Sequence, residues 1–148
     1  MNRMKISTKG RYGIRLMLDL AIHQSQRHVP LKDIARRQVI SEKYLEQIVM
    51  QLTRAGLVRS ARGAQGGYAL MRPASSTSVG EILRVLEGSL APVECVADGE
   101  YSCLQAQTCV TTDIWREMME AVEAVVNNIS LSDLVDRYYQ KSEPDYVI

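Results

Sequence analysis

The punctuation between residues 29 and 67 limits this chain more than any other feature. Val29-Pro30 breaks one helical pattern, and Leu31 to Gln38 starts a short second one with Ile34 and Ala35 inward. Val39-Ile40 makes a turn. Ser41 is a good N-cap, and Glu42 puts negative charge in the first turn of the next helix. Leu45, Ile48, Val49 and Leu52 give that helix one apolar face, and Gly56 stops it after Ala55. Two helices joined by so short a turn form a helix-turn-helix unit. Two short strand candidates follow, Leu57–Ser60 and Tyr68–Leu70, around the Gly-rich connection 61–67. The predicted fold is mainly α: a winged helix-turn-helix with a small β-hairpin wing, followed by a long C-terminal dimerisation helix.

The remaining elements read in the same way. Ser7-Thr8 precede a helix to about Gln26, with Ile14, Met17, Leu18, Ala21 and Ile22 on one face. Leu16 and Leu20 lie on another, so the helix is expected to meet two neighbours. Ser78 and Gly88 bound a short helix over 79–87. A long helix over 113–127 carries Ile114, Met118, Ala121/Val122, Val125 and Ile129 at coiled-coil-like spacing, opposite Arg116, Glu117, Glu120 and Glu123. Ser130 caps a last helix through Tyr139. Three segments are expected: 1–72 for DNA binding, 73–112 as linker helix and Cys-bearing loop, and 113–148 for dimerisation. No apolar run is long enough to cross a bilayer, and the N-terminus lacks the pattern of a secretory signal. The expectation is a cytoplasmic protein.

The net charge of +1 conceals a split. Residues 1–72 carry 14 Lys/Arg and 4 Asp/Glu, a net of +10, whereas residues 73–148 carry 4 and 13, a net of −9. The first half suits a polyanion and the second does not. In a helix-turn-helix the start of the second helix meets base edges. Here that places Ser41, Lys43, Tyr44, Glu46 and Gln47 at the DNA. Lys43 suits a phosphate or a guanine edge, and Gln47 suits adenine. Near phosphates, Glu46 is tolerated where it accepts from cytosine N4; otherwise it is a surface residue paired with Lys43. Arg59 and Arg62 of the hairpin would approach phosphates or the minor groove.

Cys95, Cys103 and Cys109 are spaced Cys-x7-Cys-x5-Cys, and the chain has no other cysteine. An odd number argues against a closed disulfide framework. Three readings stay open on spacing: an iron–sulfur cluster, structural zinc without its usual close pairs, or unligated thiols. No Cys-x-x-Cys, no His near a Cys in sequence and no strand-to-helix elbow support an enzyme.

Taken together, several segments resemble the IscR-type family of winged-helix transcription regulators. They are Lys9-Gly10-Arg11-Tyr12, Ile40-Ser41-x-x-Tyr44-Leu45-Glu46-Gln47, Arg62-Gly63-x-x-Gly66-Gly67-Tyr68, Ser78-Val79-Gly80-Glu81, the three Cys, Trp115-Arg116 and Asn127-Asn128-Ile129-Ser130-Leu131. The resemblance covers nearly the whole chain. It implies a homodimer on double-stranded DNA with an imperfect palindromic operator, and a 2Fe–2S cluster on Cys95, Cys103 and Cys109. It also implies control of iron–sulfur assembly genes. By position it makes Lys43, Tyr44, Glu46 and Gln47 base readers, with Glu46 helping to choose between site classes, and Arg62 a minor-groove arginine. In the best-known members a His three residues after the last Cys completes the cluster; here Thr112 stands there. A cluster-free repressor of the same family, sensing thiols or a partner, is the alternative.

Overall fold

Serine side chains cap several of the helix starts. The computed structural model describes residues 5–23, 27–97, 105 and 108–143. Helices α1 (Thr8–His23), α2 (Leu31–Gln38) and α3 (Glu42–Arg54) lead into strands β1 (Val58–Ala61) and β2 (Gly67–Leu70). Helices α4 (Val79–Glu87), α5 (Val110–Asn127) and α6 (Leu131–Ser142) follow. Ser41 accepts from the Tyr44 N–H at 3.2 Å and opens α3. Ser78 with Glu81, and Ser130 with Asp133, form reciprocal capping boxes at α4 and α6. Gly56, at φ 76°, closes α3 in the left-handed region. The last residues expected in the first helix, 24–26, lie outside the described chain.

The buried face of α1 is not the stripe of large residues. It centres on Gly10, Gly13, Leu16, Met17 and Leu20, while Ile14, Leu18 and Ile22 are half-buried. The reason is close approach to α4: a Cβ at Gly13 would overlap Leu86, and one at Gly10 would overlap Glu87. Counting only bulky residues misses a face that two glycines make buriable.

The strands pair antiparallel, with Val58 opposite Leu70 and Ala61 opposite Gly67. A third segment joins them. Val29 and Tyr68 exchange N–H···O bonds of 2.8 Å in both directions. Val29-Pro30 is therefore the inner edge of the wing as well as a helix break, and a Cβ at Gly67 would overlap the Val29 carbonyl. Helix α5 begins three residues before the predicted Asp113, with Cys109 in its N-cap position. The β-branched run Val110-Thr111-Thr112 disfavours a helix locally, and burial of Thr112, 2% exposed, outweighs that preference.

One core takes Leu16, Met17, Leu20, Ile34, Leu45, Ile48 and Leu52 from the basic half, and Ile82, Leu86 and Leu131 from the acidic half. Each fully buried aliphatic side chain contributes about 1.5–3 kcal/mol. A smaller cluster of Leu83, Leu90 and Met119, flanked by Val96, Val122 and Val126, holds α5 on α4.

A carboxylate lies within this apolar frame. Asp19, on α1, is 1% exposed. It accepts a two-pronged contact from Arg37, at 2.6 and 3.0 Å, and a third bond from the Gln38 amide at 2.9 Å. Arg37 sits in the last turn of α2, so the contact pins the end of α2 to α1. Bonding to Asp19 raises the pKa of the Arg37 guanidinium. Replacing Arg37 by Ala should leave Asp19 buried with Gln38 alone and lower unfolding stability by about 2–3 kcal/mol. Urea denaturation of R37A measures this, and a loss under about 0.5 kcal/mol, the usual size for an inconsequential surface change, would refute it.

Candidate nucleic-acid interface and thiol site

Helix α3 separates its faces cleanly. Leu45, Ile48, Val49 and Leu52 are buried, and Ser41, Lys43, Glu46 and Gln47 are exposed, with Tyr44 half-buried between them. The core side fixes the axis, and the other side projects the predicted readers from the first two helical turns. Ser41 spends one lone pair on its cap. Among the described residues neither Lys43 nor Glu46 takes part in an ion pair. Glu46 is thus an exposed helix-surface residue that makes no ion pair with Lys43. Arg59, on β1, and Arg62, just beyond it, are both exposed on the wing.

Sequence periodicity gives no account of Tyr12, Arg15 and Asp19. They share one face of α1 and reach toward the helix-turn-helix. The Tyr12 and Tyr44 rings meet edge to face, with centroids 5.7 Å apart at 88°. Arg15 lies over the Tyr12 ring, 5.5 Å from its centroid, and donates to the Gln38 side chain at 3.1 Å and to the Gln38 carbonyl. The one signal in the sequence is a lone carboxylate, Asp19, inside the apolar run 16–22.

The turn between α2 and α3 carries Val39 at φ 55°, a left-handed conformation that is rare for a β-branched residue. Its side chain is 89% exposed. The turn geometry is thus imposed by the helices on either side, not by the preference of Val39.

The described cysteines lie beside α5. Cys95 belongs to the short 3₁₀ turn Glu94–Val96, which Val96 anchors against the Leu83–Leu90–Met119 cluster. Cys109 stands at the start of α5. Both are free thiols and half-exposed. Cys103 lies outside the described residues. The Thr111 hydroxyl, 3.0 Å from Cys109 Sγ, stabilises the thiolate, helped by the Thr112 hydroxyl and backbone. Together they hold the Cys109 thiol at about 7, below its ordinary value of 9.0. Thiolate sulfur is the donor that iron–sulfur and zinc sites use, so this donor chemistry fits such a group. Among the described residues no three His, Cys, Asp or Glu side chains gather as a metal-holding group. Nor, among them, is any helix long and apolar enough to cross a membrane.

A capped helix with an exposed polar first turn, packed beside a basic hairpin, defines a winged helix-turn-helix regulator. Comparison with known proteins agrees. Residues 6–137 match the model of the Rrf2 family, described as iron-dependent transcriptional regulators. Protein rrf2 of Nitratidesulfovibrio vulgaris is 42% identical over 132 residues, covering 89% of this chain and 87% of its own. The HTH-type transcriptional regulator IscR of Yersinia pestis is 40% identical over 133 residues, covering 90% and 80%. Among solved structures, T. potens IscR superposes with a TM-score of 0.77 at 40% identity, covering 95% of this chain and 93% of its own. CymR, the global cysteine regulator of B. subtilis, superposes with a TM-score of 0.75 at 42% identity, covering 90% and 97%. The chain belongs to the Rrf2 family, and it is a DNA-binding transcription regulator, not an enzyme.

The lowered thiol has a direct consequence. Only the thiolate is nucleophilic, so alkylation of Cys109 should rise through pH about 7 and level off above it. Iodoacetamide rates on protein with Cys95 and Cys103 changed to Ser measure this. A midpoint near the ordinary value of 9.0 would contradict the Thr111 and Thr112 contacts.

Proposed function

We propose that the chain binds its operator as a homodimer in the cytoplasm, with binding tuned by a 2Fe–2S cluster on Cys95, Cys103 and Cys109, at genes for iron–sulfur assembly. The two copies of α3 would enter successive major grooves, about 10 base pairs apart, on an imperfect palindrome. The observation that carries the DNA reading is Glu46, exposed on the reading face and free of an ion pair among the described residues. There it is available to accept from cytosine N4, while Lys43, Tyr44 and Gln47 flank it and Arg59 and Arg62 approach the flanking phosphates or minor groove. Residues 1–72 do this work, 73–112 carry the sensing loop, and 113–148 join the subunits.

Two features support the dimer. Ile114, Met118 and Val125 are exposed along one face of α5 while Met119 is buried against α4. A cavity of about 510 Å³ beside that face is lined by Ile6, Leu90, Ala121, Val122, Val125 and Val126. An apolar stripe on a water-facing helix is stabilised by covering it, and a second copy of α5 matches its spacing.

When bound, an iron–sulfur cluster supplies a labile cross-link between thiolates. Cys95, in the 3₁₀ turn packed on α5, and Cys109, at the N-cap of α5, would hold such a group together with Cys103, and holding it would order the 92–112 loop against that helix. Ordering favours one placement of α3 over another through the differing stability of the two states. A second reading is a cluster-free thiol sensor. Thr112 at the position of the family's His favours it, as does the likeness to the cysteine regulator CymR.

Anaerobic purification followed by absorption, iron and sulfide analysis separates the two. The cluster reading expects coloured protein, loss of colour on changing any of the three Cys to Ser, and different operator preference with and without the cluster. Colourless, metal-free protein that recognises its promoter fully establishes the second reading. For DNA choice, Glu46→Ala should broaden the sequences selected from a randomised duplex library; unchanged selection returns Glu46 to an ordinary surface role.

A further inference from the structure

The contacts that surround Tyr44 come from a helix that a helix-turn-helix does not need for reading bases. Tyr44 lies in the first turn of α3, and its ring meets that of Tyr12 on α1 edge to face, centroids 5.7 Å apart. Arg15, one turn further along α1, lies 5.5 Å from the Tyr12 centroid, within reach of a cation–π contact. The same guanidinium donates to the Gln38 Oε1 at 3.1 Å and to the Gln38 backbone carbonyl. That carbonyl belongs to the last residue of α2, where helix carbonyls lack intrahelical partners and a cation is favoured. The next residue is Val39, held left-handed with its side chain in water. Arg15 therefore touches the residue before the turn and, through Tyr12, the residue that begins base reading after it.

We infer that Arg15 and Tyr12 are positioning residues for DNA specificity: together they fix the Tyr44 ring and the α2–α3 turn, and so set which bases the start of α3 can reach. Neither is assigned a contact with DNA. Arg15 secures the turn by occupying the α2 terminus. Tyr12 passes that constraint to Tyr44 by ring contact. The buried Asp19 contact to Arg37 and Gln38 holds the neighbouring part of the same α2 terminus, so Gln38 is gripped from both Arg15 and Asp19. The inference rests on the proposed base-reading role of Tyr44.

The test measures discrimination instead of affinity alone. A duplex selected by the full-length protein from a randomised library and a scrambled duplex of equal length are titrated by fluorescence anisotropy at several salt concentrations. Arg15→Ala should lower the selected-to-scrambled ratio about tenfold, within the range typical of coupled neighbours. It should leave scrambled-duplex binding within about twofold and the salt slope unchanged, because no phosphate contact is lost. Tyr12→Ala should do the same, and Tyr12→Phe, which keeps the ring, should restore discrimination. In a Tyr44→Ala background, Tyr12→Ala should add nothing further, and Arg15→Ala should cost less than it does alone.

Equal weakening on both duplexes, with a salt slope smaller by about one, would make Arg15 a phosphate contact and overturn the inference. Additive losses from Arg15→Ala and Tyr44→Ala would overturn it as well. If Tyr44→Ala leaves discrimination intact, the reading beneath the inference fails too. If Tyr44→Ala reduces discrimination while Arg15→Ala and Tyr12→Ala do not, the inference alone fails. Should Arg15→Ala not fold, the Tyr12→Ala and Tyr12→Phe pair decides, since a purely structural role for Tyr12 would move thermal stability without moving the ratio.

Discussion

A carboxylate removed from water is costly unless donors surround it, and Asp19 is surrounded. It lies in the middle of α1, and its three donors all come from the last two residues of α2. The buried charge accordingly works as a locating pin. Hydrophobic burial would let α2 slide or rotate on α1 at modest cost, whereas a two-pronged guanidinium contact tolerates little displacement. Because only Val39 and Ile40 separate the end of α2 from the Ser41 cap, fixing that end also fixes the direction in which α3 leaves. The exposed face of α3 inherits its orientation from a carboxylate buried behind it.

Local signals in the sequence were enough for most element boundaries. Ser41, Ser78 and Ser130 announce helix starts because a short hydroxyl next to an apolar periodic run has one favourable use there. Which face of α3 is exposed was legible for the same reason, since Leu45, Ile48, Val49 and Leu52 leave little choice of side. What sequence could not show depends on distant partners. Gly13 looks like a weak point in a helix until Leu86 is seen against it. Val29 looks like a break until Tyr68 pairs with it. Asp19 looks misplaced until Arg37 arrives. The thiol site was legible as three cysteines in a stretch without periodicity, but the Thr111 and Thr112 contacts to Cys109 depend on where α5 starts, and that was set by burial of Thr112 against local preference.

The charge split does not divide the molecule into two independently packed halves. Ile82, Leu86 and Leu131, from the acidic half, complete the core built by α1, α2 and α3. Ser7 adds a polar tie, donating from its backbone and hydroxyl to the Glu87 carboxylate at the end of α4. Surface charge and interior packing follow different boundaries. The excess of basic residues stays with α1–α3 and the hairpin, while the acidic segments complete the core beneath them.

The two ends of α5 are anchored differently. At its C-terminal end the chain turns back sharply: Val79 donates to the Ile129 carbonyl, Leu131 donates to the Thr77 carbonyl, and Arg84 holds Asn127 at 2.7 Å. Ser78 and Ser130 pair as a single bridge, so α4 and α6 set out from one knot. The other end starts at Cys109 and has no comparable backbone lattice among the described residues. Eighteen helical residues, about 27 Å at 1.5 Å each, therefore separate the knot from Cys109, with Thr112 and Met119 buried along the way. The exposed stripe of Ile114, Met118 and Val125 runs between them, so anything that covers it spans the distance from the thiol to the knot.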